Sequence, residues 1–127
     1  MSARLPILAA LAVFLGACAP GSAAPEISVQ ELKARRERKE KFTLLDVREP
    51  KEYALAKIEG STLIPLGELP GRLAELDKSA KLVVHCKGGG RSAKAVKLLR
   101  EKGYDAVNVA GGIDAWSESI DPSVPKY

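Results

Sequence analysis

Apolar and polar residues follow two different periods along this chain of 127 residues. Short apolar runs bounded by glycine, proline or charged residues are typical of buried strands. They occupy 42–47, 63–64, 82–84 and 106–109, and Ile27 could add a short edge strand. The stretches between them predict five helices. The first starts at the capping box 28–31 and runs through Leu32 to about Arg38, and the third follows 66–69 and ends near Leu76. The others run from Pro50 to Leu55, from Ala93 to Lys102, and around Trp116. Strands that alternate with helices predict one α/β domain, in which helices cover both faces of a parallel sheet of about five strands.

Helix boundary signals support these assignments. Ser28 and Glu31 have the spacing of a capping box, and Pro50 suits the first position of a helix. Gly103 fits the left-handed position that ends a helix, with Tyr104 packing back against it. Leu69, Leu73 and Leu76 share one helical face. In a parallel sheet the ligand site lies beyond the carboxyl ends of the strands, so residues that follow the strands are the candidates for function.

The N-terminal segment has the pattern of an export signal. Arg4 precedes an apolar run from Leu5 to Ala17, which is too short to cross a bilayer comfortably. An N-terminal core helix is disfavoured because Pro6 interrupts the run and no amphipathic period is present. The run ends in Leu15-Gly16-Ala17-Cys18, which resembles a bacterial lipobox, in which the cysteine is lipidated.

We therefore expect residues 1–17 to be a signal peptide and 18–25 to be a lipidated N-terminus and tether. We expect residues 26–127 to form the domain. Ordinary signal cleavage, without lipid on Cys18, stays open because Gly16 is not the commonest residue at its position. The expected location is the periplasmic face of a bacterial membrane, held there by a lipid anchor.

Charge adds little to this interpretation. The chain has 20 basic and 16 acidic residues, and removal of residues 1–17 would take away only one arginine. Such a mild excess, with few aromatic residues, does not indicate nucleic-acid binding. The charged run 33–41 mixes both signs, which favours a solvated helix face over a binding patch.

Cysteine usage is more informative. The chain has two cysteines, Cys18 and Cys86, and one histidine, His85, which are too few for a zinc site of the Cys/His type. If Cys18 carries lipid, Cys86 has no disulfide partner. A lone thiol in an oxidising compartment is a liability unless its reactivity is used.

Cys86 ends a predicted central strand and is followed by a glycine loop that opens a helix. The glycines allow backbone N–H groups to converge on one point, and the helix N-terminus adds partial positive charge there. A thiol at this point ionises more easily than a free cysteine, and the thiolate is the nucleophile. We predict that Cys86 is catalytic and that its loop binds the anionic substrate through Lys87, Gly88, Gly89, Gly90, Arg91 and Ser92.

The loop side chains have different expected roles. Arg91 is expected to bind the anion, because it stands at the loop's end. Lys87 could attract anions at the rim or could simply be solvated. Ser92 is expected to cap the helix, with support of the thiolate as the alternative. His85 should point away from Cys86, because side chains alternate along a strand, so it is expected to be structural.

Asp46 and Arg48 follow another strand and are the candidates for a supporting role. We expect them to pair with each other or with neighbouring loops, in a structural rather than a catalytic function.

Four segments resemble the rhodanese family, and together they cover nearly the whole predicted domain. They are 45–53, 64–69, 85–93 and 111–116. The tail 120–127 is similar to the end of rhodanese domains fused to adenylyltransferases of sulfur-carrier pathways. Lys57 is a departure, because the family usually has histidine there; this affects packing and rim charge rather than the nucleophile.

The resemblance implies a rhodanese-like fold and a thiosulfate sulfurtransferase that needs no cofactor. Cys86 would take sulfur from a small anionic donor and pass it to cyanide, a thiol or a protein acceptor. Related phosphatases of this fold have five residues between cysteine and arginine, whereas four separate Cys86 from Arg91. This shorter loop disfavours a phosphatase or an arsenate reductase. A tethered persulfide carrier or anion-binding module without turnover is the other alternative.

Overall fold

The computed structural model describes residues 24–127. The predicted signal peptide, Cys18 and most of the predicted tether lie outside the described residues, so these assignments stay predictions. The strands are β1 (Glu26–Ile27), β2 (Thr43–Asp46), β3 (Thr62–Leu63), β4 (Lys81–His85) and β5 (Asp105–Val109). The α-helices are α1 (Val29–Glu37), α2 (Pro50–Leu55), α3 (Gly90–Glu101) and α4 (Gly112–Ser119). Within residues 24–127 no helix has both the length and the apolar content needed to cross a membrane.

The strands form one parallel sheet in the order β1-β5-β4-β2-β3. This confirms the predicted α/β class with about five parallel strands. β4 is the central strand, and it pairs with β2 along Thr43–Asp46 and with β5 from Lys81 to Val84. Because all strands run the same way, the residues that follow β2, β4 and β5 meet at one edge of the sheet.

Each face of the sheet has its own apolar core, as the prediction of helices on both faces requires. Leu82, Val84 and Cys86 belong to the core that α3 covers, whereas Val83 belongs to the core under α1 and α4. This alternation along β4 directs Cys86 towards α3. Trp116 packs in the second core, as expected.

Three local features differ from the sequence predictions. The segment that leads to Leu76 forms two 3-10 turns, Leu69–Gly71 and Leu73–Glu75, because Pro70 and Gly71 interrupt a regular helix. β3 lies one residue earlier than predicted.

α3 begins at Gly90 rather than at Ala93, and Gly89, with φ +110°, takes the capping position. Ser92 therefore lies inside the first turn of α3, and the expectation that it caps the helix is wrong.

Candidate active site

The Cys86 sulfur lies directly after β4, at the base of the loop that leads into α3. The residue is only 1% exposed. The backbone N–H of Gly89 donates to Sγ over 3.1 Å, and the Ser92 hydroxyl donates to it over 3.3 Å. Loop and helix donors thus converge on the thiol, as the glycine pattern predicts.

These donors change the acidity of the thiol. Burial raises the pKa of Cys86, but hydrogen bonds from the Ser92 hydroxyl and from the N–H groups of Ser92, Gly89 and Arg91 outweigh it. The net result is a pKa below the ordinary value of 9.0. The thiolate is therefore stabilised by fixed dipoles, which is the electrostatic environment of a reactive cysteine.

The start of α4 fixes the loop from its outer side. The backbone N–H groups of Ile113 and Asp114 donate to the carbonyl oxygens of Cys86 and Lys87 over 2.9 and 3.1 Å. Gly112 permits this approach: a Cβ there would lie 2.5 Å from each of these two oxygens, and its φ is +57°. Because α4 binds these carbonyls, the loop N–H groups that follow are free to face the sulfur.

Two ion pairs flank the loop. Arg91 donates to both carboxylate oxygens of Glu52, over 2.6 and 3.0 Å. Lys87 contacts both carboxylate oxygens of Asp114, over 3.0 and 2.9 Å. We call these four side chains the rim cluster. The two loop cations that are predicted to bind the anion are thus already paired with carboxylates.

Asp46 and Arg48 form a fully buried pair, so the expected pairing between them is present. Arg48 Nε lies 3.0 Å from each carboxylate oxygen of Asp46, and Nη2 donates to Oδ2 over 2.6 Å and to the Ala56 carbonyl over 2.7 Å. Arg48 Nη1 donates to the Tyr127 hydroxyl over 2.8 Å, and that hydroxyl donates to Glu52 over 2.7 Å. The buried pair therefore supports the rim cluster through Tyr127.

His85 is fully buried and adjacent to the Asp46 carboxylate. Its Nε2 lies 3.4 Å from Oδ2 of Asp46. The preceding position on β4 places it on the opposite side of the strand from Cys86. This position supports the predicted structural role and gives no Cys–His dyad.

Sequence reasoning missed four residues that shape this site. Glu52, Asp114 and Tyr127 are distant in sequence from the loop, and no local pattern links their charges or hydroxyl to it. Gly112 lies in a Gly-Gly pair before α4, a signal for a left-handed turn, but its contact with the loop carbonyls depends on the tertiary structure. Among residues 24–127 no three His, Cys, Asp or Glu side chains are grouped to hold a metal ion.

Comparisons with known proteins identify the family and support the fold. The family model described as a rhodanese-like domain matches residues 28–119. The putative sulfurtransferase YtwF of Bacillus subtilis (strain 168) is 39% identical over 97 residues, which cover 76% of this chain and 94% of that protein. The crystal structure of a rhodanese-like domain protein from Staphylococcus aureus has a TM-score of 0.72 at 35% identity, and the match covers 81% of this chain and 98% of that one.

A larger protein also contains a similar domain. The adenylyltransferase and sulfurtransferase MOCS3-2 of Zea mays is 39% identical over 109 residues, which cover 80% of this chain and only 23% of that protein. The chain thus spans about a quarter of that relative. The family match, the YtwF similarity and the shared fold lead to one conclusion: this chain belongs to the rhodanese-like family.

Proposed function

We propose that the chain is a sulfurtransferase that moves a sulfane sulfur through a persulfide on Cys86. The donor is a small sulfur anion such as thiosulfate, and the acceptor is cyanide, a thiol or a thiol of another protein. The observation that carries the proposal is the convergence of the Gly89 N–H and the Ser92 hydroxyl on the Cys86 sulfur. Such donors stabilise both the attacking thiolate and the persulfide anion that replaces it.

The reaction has two steps. The Cys86 thiolate attacks the outer sulfur of thiosulfate, so a bond between two sulfur atoms forms at Cys86. The bond to the central sulfur breaks, and sulfite leaves with its electron pair. The terminal sulfur of the persulfide now carries the negative charge, next to the loop N–H groups. In the second step the acceptor attacks this sulfur, and the Cys86 thiolate is released.

Replacement of Cys86 tests the proposal. The wild-type protein should gain the mass of one sulfur atom when it is incubated with thiosulfate, and this adduct should disappear on addition of cyanide. Cys86→Ser should show neither the adduct nor turnover. Appreciable turnover by Cys86→Ser would reject the proposal, as would a wild-type protein that gains no sulfur from any donor. Arg91→Ala should chiefly weaken the use of the anionic donor.

A persulfide carrier is the second candidate, and the hydrogen bonds to the Cys86 sulfur favour it. Donors that stabilise a persulfide anion lower its free energy before transfer and so slow the loss of its outer sulfur. A carrier would hold a stable persulfide, visible by intact mass, and would show negligible turnover with cyanide until a protein acceptor is added. Rapid turnover with cyanide alone would reject this candidate.

We also propose that the domain is exported and is anchored through lipid on Cys18. The support is the sequence pattern of residues 1–18. Expression of the full chain in a bacterium with labelled palmitate should give a labelled, membrane-bound protein. Cys18→Ala should abolish the label and release the domain. An unlabelled wild-type protein that is cleaved near residue 17 would indicate ordinary signal cleavage instead.

A further inference from the structure

The glycine part of the Cys86 loop has no side chains of its own to hold it. Gly88, Gly89 and Gly90 are consecutive, and glycine has more backbone freedom than any other residue. Gly89 nevertheless takes one defined conformation, with φ +110°, and its N–H donates to the Cys86 sulfur over 3.1 Å. Because a hydrogen bond depends on direction as well as on distance, contacts from outside these glycines have to fix Gly89.

Asn108, near the end of β5, makes such a contact. It pairs with Val84 of β4 in the sheet and is 3% exposed. Its Nδ2 donates to the Gly89 carbonyl over 3.2 Å, and the Ala93 N–H donates to the same oxygen over 3.1 Å. This carbonyl is therefore held from β5 and from α3 at once. In the described part of the chain, Asn108 and Cys86 are the only residues whose side chains hydrogen-bond to the three glycines.

The buried Asn108 amide is only half satisfied. The Gly89 oxygen can only accept, so the amide atom that faces it is the nitrogen. The amide oxygen Oδ1 is buried and has no hydrogen-bond partner among residues 24–127. A buried polar atom without a partner destabilises the folded chain, whereas a leucine of similar size would bury no such atom. What asparagine supplies here, and leucine cannot, is the hydrogen bond to Gly89.

We propose that Asn108 is a positioning residue for sulfur transfer: by holding the Gly89 carbonyl, it keeps the N–H of the same residue directed at the Cys86 sulfur. The inference rests on the proposed function, since the thiolate and the persulfide are the anions that this N–H stabilises. Without the Asn108 amide, the Gly89 carbonyl keeps only its bond from Ala93. The three glycines then regain freedom, and the N–H spends less time in the direction of the sulfur.

Two variants of Asn108 test this role. Asn108→Leu and Asn108→Ala both remove the donor but fill the site differently. Alkylation of the full chain by iodoacetamide is followed against pH, with the product at Cys86 identified by peptide mass. In both variants the midpoint of the rate profile should lie about 0.5 to 1 pH unit above that of the wild type, which makes the reaction about three- to tenfold slower at neutral pH. The rates should converge at high pH, where the thiol is ionised in every protein.

Tyr104→Phe is the matched control. The Tyr104 hydroxyl also donates to a backbone carbonyl, that of Leu73, over 3.0 Å. Tyr104 belongs to the core on the same face of the sheet, but it follows the other end of α3. Its removal should therefore leave the Cys86 midpoint unchanged. The charged rim cluster is the same in all these proteins, so it cannot cause a difference between them.

An Asn108→Ala midpoint equal to that of the wild type would overturn the inference, whether or not Asn108→Leu folds. A shift in Asn108→Ala that is missing in a folded Asn108→Leu would assign the effect to packing and would overturn it too. So would a rate that is lowered by the same factor at every pH, because the acidity of the thiol would then be unchanged. Failure of the proposed function is a different result, in which wild-type Cys86 gains no sulfur from any donor.

Discussion

The Ser92 hydroxyl, in the first turn of α3, lies 3.3 Å from the Cys86 sulfur and donates a hydrogen bond to it. This contact exists because α3 begins at Gly90, so that Ser92 faces back towards the end of β4. Together with the Gly89 N–H, it stabilises the thiolate more than burial destabilises it. The contact therefore ties the start of a helix to the acidity of the Cys86 thiol.

Ser92→Ala should make Cys86 less reactive at neutral pH. Loss of one hydrogen bond of about 1 to 1.5 kcal/mol should slow alkylation by iodoacetamide about five- to tenfold. The wild-type rate should rise with pH and reach half of its maximum below pH 9.0, because the folded thiol has a lowered pKa. In Ser92→Ala this midpoint should move to higher pH, because a stabilising donor to the anion is lost.

Ser117→Ala provides a matched control for that experiment. Ser117 is also buried and its hydroxyl also has a partner, but it donates to the Val124 carbonyl, away from the thiol. The midpoint for Cys86 should be the same in Ser117→Ala as in the wild type. Identical midpoints in Ser92→Ala and the wild type would show that the hydroxyl does not influence the thiol.

Gly112→Ala should destabilise the protein strongly, because its Cβ would lie 2.5 Å from the carbonyl oxygens of both Cys86 and Lys87. Its left-handed φ of +57° adds backbone strain for a residue with a side chain. We expect a loss of about 2 to 4 kcal/mol in the free energy of unfolding, measured with urea. Gly88→Ala is the control: its φ is not left-handed and its Cβ would meet nothing within 4 Å, so the loss should stay below about 1 kcal/mol. Equal losses would contradict the idea that α4 holds the loop through Gly112.

The fold and the loop around Cys86 were predictable because their determinants are local. The apolar run 82–84, the cysteine, the glycines and the following helix are consecutive in the sequence, so one stretch specifies a strand, a loop and a helix. The parallel sheet followed from the alternation of such strands with helices. The prediction that Ser92 caps α3 was wrong. Serine is a common N-cap residue, but here Gly89 takes that position with φ +110°.

The partners of the loop could not be predicted, because they are brought together only by the tertiary structure. Glu52 and Arg91 are 39 residues apart, and Arg48 and Tyr127 are 79 apart. Charged residues on exposed segments show no period that would identify such pairs. From the sequence, Lys87 and Arg91 are therefore expected to be free cations, whereas the folded chain pairs them with Asp114 and Glu52.

Tyr127→Phe should weaken the link between the buried Asp46–Arg48 pair and the rim cluster. It removes the hydroxyl between Arg48 and Glu52 and leaves Arg48 Nη1 with one hydrogen bond, a 3.4 Å contact with the Glu52 carbonyl. We expect a loss of about 1 to 2 kcal/mol in urea unfolding, because both lost hydrogen bonds involve charged groups. Tyr53→Phe loses one bond to the neutral Ser61 carbonyl and should cost only about 0.5 to 1 kcal/mol. A Tyr127 variant no less stable than the Tyr53 variant would speak against this link.

Asp46→Asn should be the most damaging of these changes to stability at neutral pH. Arg48 is fully buried, and without the Asp46 carboxylate its charge would be left uncompensated. Removal of one partner from a buried ion pair typically costs about 3 to 5 kcal/mol. Asp105→Asn changes an exposed carboxylate at the start of β5 and should cost no more than about 0.5 kcal/mol.

The pH dependence of that loss identifies its cause. Burial raises the pKa of Asp46, but the adjacent His85 ring and the hydrogen bonds from Arg48 outweigh it, so the folded pKa lies well below the ordinary 3.8. A lowered folded pKa means that the contribution is complete above about pH 3.8 and is lost as the pH falls towards the folded value. The difference in unfolding free energy between wild type and Asp46→Asn should therefore shrink below that pH, by about 1.4 kcal/mol per pH unit. A difference that is the same at about pH 3 and at neutral pH would assign the loss to altered packing instead of to the missing charge.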